Sequence, residues 1–440
     1  MNIGIDARLW NESGVGRYIR NLVEQLLIID RKNSYSLFVL AKDKENIKHQ
    51  ISNIKKSWKL EIRNWKLIGV DIRWHTLEEQ LRFPSVLYRE SLDLVHFPYV
   101  SVPIFYNKPF VVTIHDLIPY HFPTGLATTL PLPLYKLKLF GYKFIISQAA
   151  RKAKKIITVS NATKNEVVDH LKVNSNKIVV TYEGADSKIS KIKYQISKIQ
   201  IKNKKYFLYV GNSYPHKNLD NLIEAFDLLY HPEQVFGFES NRDSDFRRND
   251  IKLVLVGKED YFYKRLKEKV KNMGLEKSVL FYGEAADEEL LALYKNALAL
   301  IIASLMEGFG LPALEAMANG CLVLASDTPS LKEVCKDAAI YFDPYNVEDI
   351  AKKMKIIYSN DINHYSDILE KGLKRAKMFS WKKMAVQTLK VYENCSSTSK
   401  VIDSPGQASL GLRSRSRLAE AFGEAQVGGG GAERGWAPLR

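Results

Sequence analysis

The sequence predicts an α/β protein of two domains, each a parallel sheet flanked by helices, facing one another across a cleft. Short apolar runs suited to buried strands recur along the chain, and helical stretches separate most of them. The alternation pauses in a Lys-, Ile- and Ser-rich stretch from about 186 to 204 and then resumes, which reads as one unit followed by another. At 440 residues and 46% hydrophobic content, the chain is too long for one ordinary core and apolar enough for two. No sequence repeat of fixed period accompanies the doubled pattern.

In the first unit, residues 1–190, the runs NIGIDA, YSLFVLA, LDLVHF, FVVTIHD, KKIITVS and KIVVTYEG read as strands, with RYIRNLVEQLLIID and TLEEQLRFPSVLYRE as helices. The second unit, 200–378, carries YFLYVG, IKLVLVG, SVLFYG, LALIIAS, CLVLAS and AIYF. HPEQVFGFESNRDSDFRRND, 231–250, reads as a polar surface loop between a helix and a strand. Residues 379–395 read as a last helix. From about 396 the composition turns abruptly to Ser, Gly, Ala and Arg, so 396–440 is expected to be a disordered tail, fused or non-native.

The net charge of +16 calls for anionic partners or a well-solvated surface. Lysines such as those of KIKYQISKIQIKNKK fit either a solvated face or one turned to a membrane. No zinc-finger, RNP or helix-turn-helix pattern accompanies the charge, which argues against nucleic acid. Cys321, Cys335 and Cys395 match no metal or redox spacing and suggest free thiols in a reducing compartment. The opening MNIGIDAR lacks the pattern of a signal peptide, and no window has the roughly 18 apolar residues of a spanning helix. The expected location is therefore cytoplasmic, with the inner face of a membrane as an option. The apolar, lysine-punctuated segment 131–155 suits either a membrane surface or a buried helix beside the cleft.

In such sheets ligands sit beyond the carboxyl ends of strands, so the loops there carry the candidates. After the first strand, Gly14 and Gly16 precede a helix whose N-terminus can receive an anion. A nicotinamide-binding fingerprint is not matched, since Ile19 stands where a third small residue belongs. His115 and Asp116 follow FVVTIHD, where an imidazole can bond a sugar hydroxyl or move a proton; His96, after LDLV, is a second candidate. After YFLYV come Gly211, Asn212, His216 and Lys217, the lysine at the start of a helix where it suits a diphosphate, without the ending of a P-loop.

EGFGLPALEAMANG, 307–320, sets Glu307 and Glu315 on either side of a Gly-rich bend. Pro312 can start a helix with Glu315 in its first turn, and Asn319-Gly320 can end it. That leaves Glu307 before Gly308 and Gly310, glycines suited to close approach or positive φ. One carboxylate can hold paired ribose hydroxyls and the other a sugar ring, while N–H groups of Gly308 to Leu311 face phosphate.

Together SGVGRYIRNL, TIHDLIP, ITVSNATKNEV, VTYEGAD, VGNSYPHKNL and the Glu-x7-Glu element resemble the retaining glycosyltransferases of family 4, the bacterial-type group 1 transferases of GT-B fold, over about residues 1–395. The resemblance implies two Rossmann-like domains, 1–190 for the acceptor and 200–378 for the nucleotide-sugar, with 379–395 packing back on the first. It implies a UDP- or GDP-sugar donor, a glycan or lipid-linked acceptor, and polysaccharide or glycolipid synthesis. Catalytic roles fall on His115 and Glu307. Donor contacts fall on Gly14, Gly16, Asn212, His216, Lys217, Gly308, Phe309, Gly310, Leu311 and Glu315.

Family members often carry arginine where this chain has His216 or Asn212, so His216 is expected to stand in for a second cation, giving donor affinity a pH dependence. Neither cofactor nor metal is implied, and Asp243-Ser244-Asp245, the one Asp-x-Asp, sits in the polar insertion as a decoy. An epimerase or phosphorylase of the same fold, or a non-catalytic donor-binding module, are the competing readings.

Overall fold

Strands such as FVVTI, ALII and VLAS are apolar at nearly every position because both of their faces are covered, as helices on each side of a parallel sheet require. The architecture is that of a computed structural model, which describes residues 1–58, 64–125, 130–185, 205–230 and 251–397. The pause at 186–204, the insertion 231–250 with Asp243-Ser244-Asp245, and the tail from 398 lie outside the described residues.

The first sheet is built from β1 (Asn2–Asp6), β2 (Ser34–Leu40), β3 (Trp65–Val70), β4 (Leu94–Phe97), β5 (Phe110–Ile114), β6 (Lys155–Thr158) and β7 (Ile178–Val180). Between them run α1 (Val15–Ile29), α2 (Lys44–Trp58), α3 (Leu77–Arg89), the single turn α4 (Ile118–His121), α5 (Leu132–Lys152) and α6 (Asn161–Leu171). The strand order is β3-β2-β1-β4-β5-β6-β7, all parallel. β3, WKLIGV, is missing from the sequence reading. It is an edge strand, half-exposed along most of its length, with Lys66 reaching Glu90 at 2.6 Å, so no unbroken apolar run marks it.

The second sheet has β8 (Lys205–Val210), β9 (Ile251–Val256), β10 (Val279–Gly283), β11 (Ala299–Ile302), β12 (Val323–Ser326) and β13 (Ile340–Phe342) in the order β10-β9-β8-β11-β12-β13. Its helices are α7 (Leu219–Tyr230), α8 (Tyr261–Asn272), α9 (Asp287–Asn296), α10 (Leu311–Ala318), α11 (Pro329–Cys335), α12 (Val347–Ser359) and α13 (Ser366–Ala376). Both sheets reverse their strand order beside their first strand, between β1 and β4 and between β8 and β11. A reversal of this kind splays the following loops apart and opens a crevice. The chain is thus two α/β domains of parallel sheet.

The last helix, α14 (Trp381–Ser397), lies against α1, and its Trp381, Met384, Ala385 and Tyr392 join the core of the first sheet. All three cysteines are buried and unpaired with one another; burial pushes the Cys321 and Cys335 thiols up to about 12, leaving them inert packing groups.

Candidate active site

The second-domain half of the site forms where the loops after β8 and β11 meet at the strand-order reversal. Pro215 starts one turn of 3-10 helix that ends at Lys217, and Asn218 then takes a left-handed conformation (φ 59°) that leads into α7. The left-handed residue is held by its own side chain, whose amide donates to the Pro344 carbonyl at 2.7 Å. The Leu305 N–H donates to the His216 carbonyl at 2.8 Å, tying one loop to the other. Across that tie Lys217 Nζ donates to Glu307 Oε1 at 2.7 Å, and Ser304 Oγ donates to the same oxygen at 2.7 Å. Burial pushes the Glu307 carboxyl up, but the Lys217 charge and the bonds from Lys217 and Ser304 outweigh it and hold the group below the usual range.

The two glycines after Glu307 have separate reasons. A side chain at Gly308 would stand 2.0 Å from the His115 carbonyl oxygen, so glycine here lets the second domain touch the first. The Gly308 carbonyl in turn accepts from Ser160 Oγ at 2.6 Å and Thr163 Oγ1 at 3.1 Å. Gly310 adopts φ 87° as the N-cap of α10, with Pro312 just inside the helix. Between them the Phe309 ring turns inward to Tyr182 and Phe379, which leaves only its backbone toward the cleft, and Leu311 packs on both domains' cores. Asn319 and a left-handed Gly320 end the helix.

Glu315 is the fifth residue of α10 rather than a first-turn acid, so the helix dipole does not account for it. Its Oε1 pairs with Arg17 at the start of α1, and its Oε2 accepts from Tyr294 OH at 3.0 Å. Arg17 also reaches Asp287 at 2.6 Å. Arg17 thus bridges the domains directly behind the Gly14–Gly16 turn. Gly14 has φ 62°, and a side chain at Gly16 would lie 2.7 Å from the carbonyls of Leu9 and Trp10, so both residues shape the turn.

In the first domain the His115 Nε2–H donates to the Pro98 carbonyl at 2.9 Å, Nδ1 lies 3.6 Å from Glu183 Oε1, and the ring stands edge-on to Tyr18. Burial pushes the neighbouring Asp116 carboxyl up, and the charges of His115, Lys217 and Glu307 act on it as well, so this loop and the Lys217–Glu307 pair share one space. His96 is corrected as a candidate. It is fully buried, with Nδ1 2.7 Å from Tyr392 OH and Nε2 2.8 Å from Thr113 Oγ1, and burial then the charge of His115 lower its pKa to about 3. It ties α14 to the sheet and has no access to a ligand.

His216 does not behave as the expected second cation. It is buried, and that burial together with Lys217 lowers its pKa to about 4, against a smaller opposing pull from Glu307. Asn212 accepts from the Tyr214 N–H through Oδ1 at 3.4 Å and from Tyr209 OH through its carbonyl at 2.5 Å, shaping the loop. Beside it Ser213 Oγ is buried with no hydrogen-bond partner among the described residues. Sequence reasoning missed Ser213, Arg17, Glu183 and Tyr294. Arg17 and Glu183 lay inside motifs already singled out, whereas nothing local marks Tyr294.

The N-terminus of α6 is also engaged. Glu333 of α11 accepts from the N–H groups of Asn161 and Ala162, each at 2.8 Å, and from Tyr182 OH at 2.8 Å. A carboxylate of the second domain therefore caps a helix of the first.

Two family models match the chain in succession: "Glycosyltransferase Family 4" over residues 13–188 and "Glycosyl transferases group 1" over residues 191–375. Among curated proteins, the O-antigen chain mannosyltransferase RfbU of Salmonella typhimurium is 28% identical over 67% of this chain and 70% of its own length. The O-antigen chain mannosyltransferase B of Escherichia coli is 28% identical over 87% of this chain and 96% of its own. Among solved structures, HepE of Anabaena in complex with UDP and glucose is similar with a TM-score of 0.67 at 16% identity, over 90% of this chain and 100% of that one.

Proposed function

Because the chain belongs to the group 1 glycosyltransferases of family 4, enzymes of the GT-B fold, we propose that it moves a hexosyl group from a nucleoside diphosphate sugar to a growing cell-surface glycan with retention of configuration. The observation that carries this reading is the Lys217–Glu307 pair at the strand-order reversal, beside the Gly308–Leu311 backbone and across from His115. In the reaction the anomeric C1–O bond breaks and its electron pair leaves with the diphosphate. The acceptor hydroxyl bonds C1 on the same face and passes its proton to the departing phosphate oxygen. Lys217, the N–H groups at the start of α10 and the Ser213 hydroxyl meet the charge that grows on the diphosphate, in place of a divalent ion. Glu307, released by Lys217, accepts from sugar hydroxyls.

Glu315 accepts from the ribose hydroxyls in exchange for Arg17, while Tyr294 keeps its second oxygen oriented. His115 meets the transferred sugar once its Nε2 leaves the Pro98 carbonyl. Mannose is the first sugar to test, from the names of the curated relatives, and UDP and GDP are the nucleotides.

The reading extends to a lipid-linked acceptor at the inner face of a membrane. α5 exposes Leu132, Leu134, Leu137, Phe140 and Phe144 with Lys136, Lys138 and Lys143 interspersed, a composition suited to an anionic lipid surface. Among the described residues no helix is long and apolar enough to cross a membrane.

Thermal unfolding in the presence of UDP, GDP, ADP and CDP sugars, for the wild type and Glu315→Ala, tests the donor site. One nucleotide is expected to stabilise the wild type, by about 2.7 kcal/mol at a hundredfold excess over Kd. The variant is expected to bind on the order of tenfold to a hundredfold more weakly. Stabilisation by none of them, or binding with no transfer from a labelled donor to any glycan, would overturn the proposal.

A further inference from the structure

Outside the cleft, three side chains of the first domain converge on one point. Glu166 and His170 sit four residues apart on the same face of α6, and His121 ends α4, facing them. His170 Nε2 lies 3.2 Å from His121 Nε2 and 3.2 Å from Glu166 Oε2, and His121 Nε2 is also bonded to Glu166 Oε2. All three side chains are about one-third exposed, so the point is open to solvent on one side.

Hydrogen bonds can hold this triangle, since both rings can donate Nε2–H to the one carboxylate oxygen with their nitrogens 3.2 Å apart. In the other tautomer of both rings the same three atoms turn lone pairs toward one point, and a cation placed there meets all three at once. Tetrahedral bonds of about 2.0–2.1 Å to nitrogen and oxygen put neighbouring ligand atoms roughly 3.3 Å apart, close to the two separations from His170 Nε2, while the His121–Glu166 contact must open to admit the ion.

We propose that His121, Glu166 and His170 form a binding site for a divalent transition metal of the zinc class, with water completing the fourth position. Two imidazoles and one carboxylate suit zinc, nickel or copper rather than magnesium or calcium, which take oxygen ligands. The ion joins α4 to α6. α4 follows the His115 loop, and the next residue, Phe122, packs its ring 6.3 Å from that of His216 across the cleft. α6 holds the Gly308 carbonyl through Thr163 and is capped by Glu333. The site is thus a clip on the two elements through which the first domain touches the donor loops, and it stands independently of the transfer reaction.

The test uses the full chain freed of metal with a chelator and titrated with Zn²⁺ alone, followed by calorimetry and thermal unfolding, with Co²⁺ as a spectroscopic probe. One equivalent bound, a raised Tm and the visible absorption of tetrahedral cobalt are expected. His170→Ala and Glu166→Gln should each weaken binding by at least the roughly 10–100-fold that loss of an outer-shell partner costs. His49→Ala, an exposed histidine elsewhere, should change nothing. Equal binding by the wild type and a His121→Ala/His170→Ala variant, or no uptake by the wild type, would overturn the proposal and leave a hydrogen-bonded side-chain cluster.

Discussion

Glu307 and Glu315 belong to one short element, yet they are satisfied in opposite ways. Glu307 closes its contacts within its own domain, on Lys217 and Ser304, from loops that follow adjacent strands of one sheet. Glu315 has one oxygen on Tyr294 of its own domain and the other on Arg17 of the first. The first arrangement is preorganised by sheet topology and survives any relative motion of the halves. The second forms only when the halves meet, so it reports their approach. Gly308 sits between them in sequence, and its bare backbone lies against the His115 carbonyl of the first domain.

Breaking the intradomain arm should have the largest effect. Lys217→Met is expected to lower the transfer rate by about 10²–10³-fold, the loss typical of one preorganised donor at developing charge. It should also cost about 3 kcal/mol of stability at neutral pH by stranding a largely buried carboxylate. The folded-state pKa of Glu307 is depressed, so its contribution in the wild type is present above the unfolded value, about 4.3, and is lost as pH falls through the lower folded value. In the variant burial is opposed only by the Ser304 hydrogen bond and by His216, so the carboxyl moves up relative to the wild type. The stability gap between the two proteins should therefore be widest near neutrality and narrow below about pH 4. Denaturant unfolding at both pH values measures it, and an unchanged gap would dissociate Glu307 from Lys217.

Breaking the interdomain arm should matter less. Arg17 is partly exposed, and its partner Asp287 is mostly in solvent, so Arg17→Ala should cost about 1 kcal/mol or less. Nucleotide affinity should stay within about threefold of wild type, in contrast with Glu315→Ala. A loss in Arg17→Ala as large as in Glu315→Ala would make the arginine itself a donor ligand.

The smallest effect is expected from the group that the sequence marked as pH-sensitive. With its pKa lowered to about 4, His216 stays neutral across the physiological range. Donor affinity should be flat from about pH 6 to 8, and a His216→Gln variant should show the same flat profile. A slope present in the wild type and absent from the variant would return His216 to the role of a cation.

A strand that is apolar throughout, such as ALII, was legible because a strand covered on both faces must be apolar at every position. β3 was not, since an edge strand tolerates Lys66 and Gly69. At the site, the residue types and the loops they occupy could be read, because glycine, proline and the strand ends announce where backbone turns. Partners could not. That His96 is sealed beneath Tyr392, that Arg17 crosses to Glu315, and that Glu333 caps α6 each join residues more than 170 positions apart in sequence.

The chain's own order of apolar runs, turns and motifs therefore determined two α/β domains with candidate residues beyond their strands, since those depend on local conformation and on periodicity. Only the tertiary structure decided which carboxylate meets which cation, which histidine is buried neutral, and why Gly308 must be glycine. Those outcomes depend on distance and dielectric, which exist only after the sheets have packed and brought distant segments within a few ångströms.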